Sequence, residues 1–217
     1  MGSRENILAR IRRQQGRSGE TTAAERDQVR AEIRKHTAGP QPDAANVVDA
    51  ATQFTNECAR LLTTVAEAAS MKDVPREVAR YCAETGVGDQ LVGWQEYEYL
   101  DWAGAGLSYD ARPAAGADRI GFTGCFCAIA ETGTLLLLSS PSTPKTPALL
   151  PETHICVVWR DRIVGNMEEA FALVRSEVGD PPRAMYFVSG PSRTADIEQT
   201  IVIGAHGPYR VHVILVP

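Results

Sequence analysis

At 217 residues the chain is long enough to bury one full α/β core and short for two ordinary domains. Its composition, 44% hydrophobic and 23% charged, is that of a folded globular protein and argues against extended disorder. A formal net charge of −5 excludes an electrostatic footprint for DNA or RNA over the chain as a whole, so no nucleic-acid partner is expected.

The first forty residues are polar. Ile7, Leu8 and Ile11 sit at helical spacing among Arg10, Arg12, Arg13 and Arg17, which predicts a short amphipathic helix with a solvated basic face. The competing reading is an arm that binds a membrane surface or nucleic acid. A breaker run at residues 37–42 (TAGPQP) ends this stretch, so a helical arm and linker over residues 1–43 precede an α/β domain over residues 44–217. Phe54, Cys58, Leu61, Leu62 and Val65 then mark one helical face, giving way to a strand near Thr63. Asp73 before Val74 and Pro75 predicts a capped helix start, with Val78, Tyr81 and Cys82 facing inward and Gly86 as the stop. Residues 89–94 (DQLVGW) read as a short buried strand, whereas residues 97–118 lack a clean period and receive no assignment.

Residues 134–138 form an almost purely apolar strand, followed by a proline-rich loop over 139–147. Residues 155–159 (ICVVW) are another strand, and Met167, Ala170, Phe171 and Val174 mark a helix ending near Gly179. Residues 184–188 and 211–216 complete the strand set. Continuous apolar strands alternating with helices predict an α/β fold with a mostly parallel sheet covered on both faces. No run approaches the ~18 to 20 apolar residues of a membrane span, and no charged start precedes an apolar core with a cleavage site. Asn6 stands where a myristoylation motif needs Ser or Thr. Five cysteines without a secretory signal suit a reducing compartment, so the expected location is the cytoplasm.

Three segments place glycine and polar side chains at the ends of predicted strands, where open α/β sheets hold their ligand crevice. In Ala130-Glu131-Thr132-Gly133-Thr134, the glycine frees backbone N–H groups and the threonines add hydroxyls, a cradle for a carboxylate or phosphate. Glu131 is then a base, a nucleophile or a ligand orienter; the plainer reading is a tight turn with a surface glutamate. The segment from Ser189 and Gly190 through Ser192, Arg193, Thr194 and Asp196 to Glu198 reads as a strand opening into a short helix, with Ser192 as N-cap. It is either an anion-binding helix start, with Arg193 as a bidentate donor, or simply a capped helix. His206, between Gly204 and Gly207, suits proton transfer or hydrogen bonding to an anion; otherwise it is a turn histidine. Cys125, Cys127, His154 and Cys156 present two pairs at spacing two, a set that zinc would accept. The C-x-x-C runs of cluster proteins are absent, however, so no metal and no cofactor is expected.

The opening Ser3-Arg4-Glu5-Asn6-Ile7-Leu8, the central Ile129-Ala130-Glu131-Thr132-Gly133-Thr134 and the closing GPSRTADIE (190–198) and Gly204-Ala205-His206-Gly207-Pro208 segments together resemble the LUD-domain family, over roughly residues 3 to 217. The resemblance implies a Rossmann-like sheet of the NagB/RpiA/CoA-transferase class. It further implies an accessory bacterial subunit that works with iron–sulfur proteins of a lactate utilization system to oxidise L-lactate to pyruvate, and that carries no cluster of its own. It gathers Glu131, Arg193, Asp196 and His206 into one site, with Thr132, Gly133, Thr134, Gly190, Ser192, Thr194 and Gly207 as ligand-binding positions for a small anion. The expected place is a crevice at the C-terminal ends of the strands. The alternatives are a stand-alone enzyme of the CoA-transferase or sugar-phosphate-isomerase type using Glu131, and a carboxylate sensor.

Overall fold

Strands that bury both faces must lie at the centre of a layered structure, and the most apolar runs of this chain do so. The computed structural model describes residues 2–17, 21–37, 39, 49–195 and 199–217. It divides into two units, Met1–Ala44 and Ala45–Pro217. The first holds helices α1 (Ser3–Gln14) and α2 (Ala23–Arg34), neither of which buries a residue. The start of α2 is set by Thr22, whose hydroxyl accepts from the Glu25 backbone at 3.2 Å while the Glu25 carboxylate accepts from the Thr22 N–H at 2.8 Å. Of the expected breaker run, Ala38 and residues 40–42 lie outside the described residues.

The second unit runs α3 (Ala50–Arg60), β1 (Thr64–Glu67), α4 (Val74–Thr85), β2 (Gln90–Gly93), β3 (Ser108–Asp110), β4 (Ile120–Thr123), β5 (Cys127–Ile129), β6 (Thr134–Leu138), α5 (Thr146–Leu149), β7 (Thr153–Trp159), β8 (Ile163–Val164), α6 (Met167–Glu177), β9 (Met185–Val188), β10 (Arg193–Thr194), β11 (Val202–Ile203) and β12 (Arg210–Val216). Six strands form a wholly parallel sheet in the order β1-β12-β7-β4-β2-β3. A second sheet, β8-β5-β6-β9, is mixed. The chain is thus an α/β protein with a mostly parallel central sheet flanked by helices.

Successive strand residues face opposite sides, and the register shows which helix covers which. His212, Ile155 and Phe122 share a row; His212 stacks on Tyr81 of α4 with ring centroids 4.0 Å apart, so α4 covers that face. Gly121, one residue away from Phe122, meets the Pro147 carbonyl of α5 on the other face. The second sheet forms a further layer. Leu135 and Leu137 join the core cluster of the main sheet, while Leu136, Cys127 and Ile129 pack with Ala170 and Val174 of α6. Each fully buried leucine here contributes roughly 1.5 to 3 kcal/mol relative to exposure.

Two expectations need correction. Asp73 precedes α4, but its carboxylate makes no capping bond; it accepts from the Ser70 hydroxyl at 2.8 Å and from Arg76 at 3.2 Å. Leu62 is not on the inner face of α3: it lies past the helix end at φ 65° and is 60% exposed. Residues 97–118 carry no period because Tyr97 and Trp102 are buried one by one while Tyr99 between them is exposed. Trp102 stacks on Tyr109 at 4.7 Å and meets Phe122 edge-on, while its indole N–H donates to the Tyr97 carbonyl at 2.9 Å.

Candidate functional site

The β5–β6 hairpin turns through a 3-10 segment, Ala130–Thr132, and closes at Gly133 with φ 60°. A Cβ at Gly133 would lie 2.9 Å from the Cys58 nitrogen, so glycine serves both the turn and the approach of α3. The Thr134 hydroxyl is buried and central: it lies 2.8 Å from the Thr132 hydroxyl and 2.7 Å from that of Ser189. Glu131 is exposed. Its backbone N–H donates to the Gly165 carbonyl at 3.0 Å, and its carboxylate forms no hydrogen bond or ion pair among the described residues.

From Ser189 the chain turns at Gly190, φ 77°, where a Cβ would sit 2.8 Å from the Leu61 carbonyl oxygen and 3.3 Å from the Thr63 hydroxyl. The expected helix start at Ser192 is overturned. Arg193 and Thr194 form an antiparallel ladder with Ile203 and Val202, the Ser192 N–H donates to the Pro208 carbonyl, and the Ser192 carbonyl accepts from the Gly204 N–H, both at 2.9 Å. A backbone committed to bonds with residues 204 and 208 at that point has none left for a helical turn. The Arg193 guanidinium reaches across to the Leu61 carbonyl at 2.9 Å. Gly207 lies against Ser192, where a Cβ would be 3.2 Å from the serine Cβ. His206 is exposed in the same turn, Thr194 is half-buried in the ladder, and Asp196 lies outside the described residues.

Thr132, Gly133, Thr134, Gly190, Ser192, Arg193 and Gly207 therefore join through successive contacts around the end of α3 and residues 61–63. Among the described residues the Glu131 carboxylate makes no hydrogen bond or ion pair with Arg193, whose guanidinium turns to the Leu61 carbonyl instead. The location corrects the expectation in part. Residues 130–132 and 189–190 do follow the C-terminal ends of β5 and β9, but residues 61–63 lead into β1 and residues 204–208 lead into β12, so the cluster also lies at the N-terminal ends of those two strands.

Sequence reasoning missed the histidine beside this cluster. His212, 2% exposed on β12, accepts or donates at 2.7 Å with the Thr64 hydroxyl, and its Nε2 has no hydrogen-bond partner among the described residues. Burial, aided by the Arg80 guanidinium, lowers its pKa to about 4. A polar residue inside an apolar strand was the available signal. His154, wholly buried on β7, binds the Thr123 hydroxyl at 2.8 Å through Nε2, and burial lowers it to about 4.

The cysteines separate. Cys127 packs with the α6 layer while Cys156 and Cys125 belong to the core between the sheets. Burial pushes the Cys127 and Cys58 thiols up to about 12, the behaviour of packing residues. Among the described residues no group of three or more His, Cys, Asp or Glu side chains is placed to hold a metal ion.

Gly190→Ala tests the close packing at the α3 turn. It should cost about 2 kcal/mol, because it adds a left-handed backbone penalty to a backbone clash. Gly86→Ala, also at positive φ but with nothing within 4 Å of its Cβ, should cost about 1 kcal/mol. Urea midpoints that rank the two the other way would discount the contact.

The LUD domain family model matches residues 51–216. A lactate utilization protein C from an Exiguobacterium species is 29% identical, covering 99% of this chain and 96% of that one. The Bacillus subtilis protein of the same name is 30% identical over 77% of this chain and 78% of its own. An uncharacterized protein of Neisseria meningitidis is 41% identical over a shorter stretch, 41% of this chain and 38% of that protein. Among solved structures, a DUF162 family protein from Deinococcus radiodurans aligns with a TM-score of 0.56 at 24% identity, over 77% of this chain and 96% of that one, a likeness of fold.

Proposed function

The chain belongs to the LUD-domain family, and on that premise we propose that it is an accessory component of L-lactate oxidation to pyruvate. It acts with iron–sulfur proteins that carry the electrons, and it holds a small anionic ligand or a partner at the loop cluster. The observation that carries this reading is the match, along nearly the whole chain, to a relative named for lactate utilization. Oxidising a 2-hydroxy acid releases two electrons and two protons. The five cysteines of this chain include no C-x-x-C run, so the reading assigns the clusters to partners.

Within the cluster, Gly133, Gly190 and Gly207 let the loops approach one another, the Thr134 hydroxyl ties Thr132 to Ser189, and Thr132, Ser192 and Thr194 are the hydroxyl residues assigned to its edge. Arg193 holds the α3 turn. Glu131, Asp196 and His206 are the groups assigned to proton exchange or ligand contact. No helix among the described residues is long and apolar enough to cross a membrane.

Deleting the gene should impair growth on L-lactate and leave growth on pyruvate intact. Purified protein alone should not dehydrogenate lactate; activity should appear with the cluster-bearing partners and fall about tenfold for Arg193→Ala, the loss of one charged hydrogen bond. A deletion strain that oxidises lactate at the normal rate, with no second copy and no other lactate dehydrogenase, refutes the assignment. A covalent adduct on Glu131 after incubation with an acyl-CoA would instead favour the stand-alone enzyme.

A further inference from the structure

Beneath the β10–β11 ladder, between it and the beginning of the main sheet, lies a cavity of about 280 Å³. Its wall includes Leu62, Pro191, Ile203 and Val211, which are apolar, and Thr64, Tyr81 and Arg210, which are not. Pro191 joins Gly190 to Ser192 and Ile203 pairs with Arg193, so the cavity shares its wall with the loop cluster.

Three features define what such a cavity would accept. The first is charge. Arg210 bonds Glu152, but Arg119 bonds the same carboxylate at 3.2 Å, so two guanidinium groups are one carboxylate short. The Arg210 guanidinium is held in place by the face of Tyr209, 4.8 Å from the ring centroid, which leaves part of its donor fork for an anion. The second is a line of hydroxyls. The Tyr81 phenol lies beside the Thr64 hydroxyl, which is bonded in turn to His212. This line suits a hydroxyl or carbonyl oxygen near the anionic head. The third is size. A volume just under the ~300 to 1,000 Å³ range of ligand pockets matches a short acid.

We infer that this cavity binds a small carboxylate, its anionic head on Arg210, its oxygen-bearing carbon toward Tyr81 and Thr64, and its short apolar tail against Ile203 and Leu62. The inference rests on the reading that the chain holds a small anion, and it places that anion beneath the ladder instead of on the Glu131 turn. Arg193, by fixing the Leu61 carbonyl, positions the Leu62 side of the wall.

The test is an amide-resolved NMR titration of the full chain with L-lactate, pyruvate and propionate, with lactamide as the uncharged counterpart. The acids should shift the amides of Thr64, Tyr81, Ile203 and Arg210, and lactamide should not. Arg210→Met should weaken binding about tenfold or more, the loss of a charged hydrogen bond. Ile203→Trp, which fills the cavity while keeping both charges of the Arg210–Glu152 pair, should abolish it; unchanged distant amide shifts would show that both variants fold. Shifts confined to residues 131–134 would overturn the cavity while leaving a carboxylate-binding protein. The absence of any shift with all three acids at millimolar concentration would overturn the inference outright, and the growth experiment would still judge the role in lactate use.

Discussion

Acidification from pH 7 to pH 4.5 should strip the α/β unit of several kcal/mol of stability, through His154 and His212. Both rings are buried, each leaves one nitrogen without a hydrogen-bond partner among the described residues, and both are depressed to about 4. At pH 7 the rings are neutral in the folded chain and mostly neutral in the unfolded one, so the linkage is weak. Below ~6.5 the unfolded chain binds two protons that the folded chain refuses until about pH 4, so stability falls as pH falls through that window. At ~1.4 kcal/mol per unit of pKa, each ring accounts for about 3 kcal/mol by pH 4, and the pair for much of a domain's ~5 to 15 kcal/mol. The arginine-paired carboxylates act elsewhere: Asp118 beside Arg112 and Glu152 beside Arg210 are held below their usual range, and their contribution is lost only as pH drops under ~4. Urea unfolding followed by circular dichroism at pH 7, 5.5 and 4.5 reads this directly. His212→Phe, which keeps the stack on Tyr81, should flatten the slope by about half. A midpoint that does not move between pH 7 and 4.5 would rule the two histidines out.

Gly121→Ala should be the most damaging single-methyl change in the protein. Gly121 lies on β4 in the middle of the main sheet, and a Cβ there would fall 1.8 Å from the Pro147 carbonyl oxygen and 2.7 Å from its carbon. Those are backbone atoms of α5, so no side chain can swing aside; either the helix lifts from the sheet or β4 shifts in its ladder. Overpacking of this kind costs typically ~1 to 3 kcal/mol, and a rigid backbone opponent puts it at or above the upper end. For a chain of this size that is a fall of about 10 °C in Tm. Gly116→Ala, where nothing lies within 4 Å of the added methyl, should leave Tm within about 2 °C. Equal melting temperatures for the two variants would mean that α5 does not sit against β4 as described.

The sequence by itself determined the elements whose burial is a local property. The runs at residues 134–138, 155–159 and 211–216 are almost purely apolar, so they read as buried strands, and the period of Phe54 and Cys58, like the stop at Gly86, marks helices without reference to anything distant. The glycine-rich segments around Gly133, Gly190 and Gly207 were also legible, because glycine between polar residues has few reasons except a tight or crowded backbone. Only the tertiary structure decided that Arg193 and Thr194 run as a strand, since Val202 and Ile203 must first come alongside to pair with them. It also decided that the loops gather where β1 and β12 begin, and that His154 and His212 are sealed in neutral form. Local sequence carries dihedral preference and burial period. Which strand lies beside which, and therefore which polar atoms meet or are left unpaired, is set by contacts between residues far apart in the chain, and one sequence does not display them.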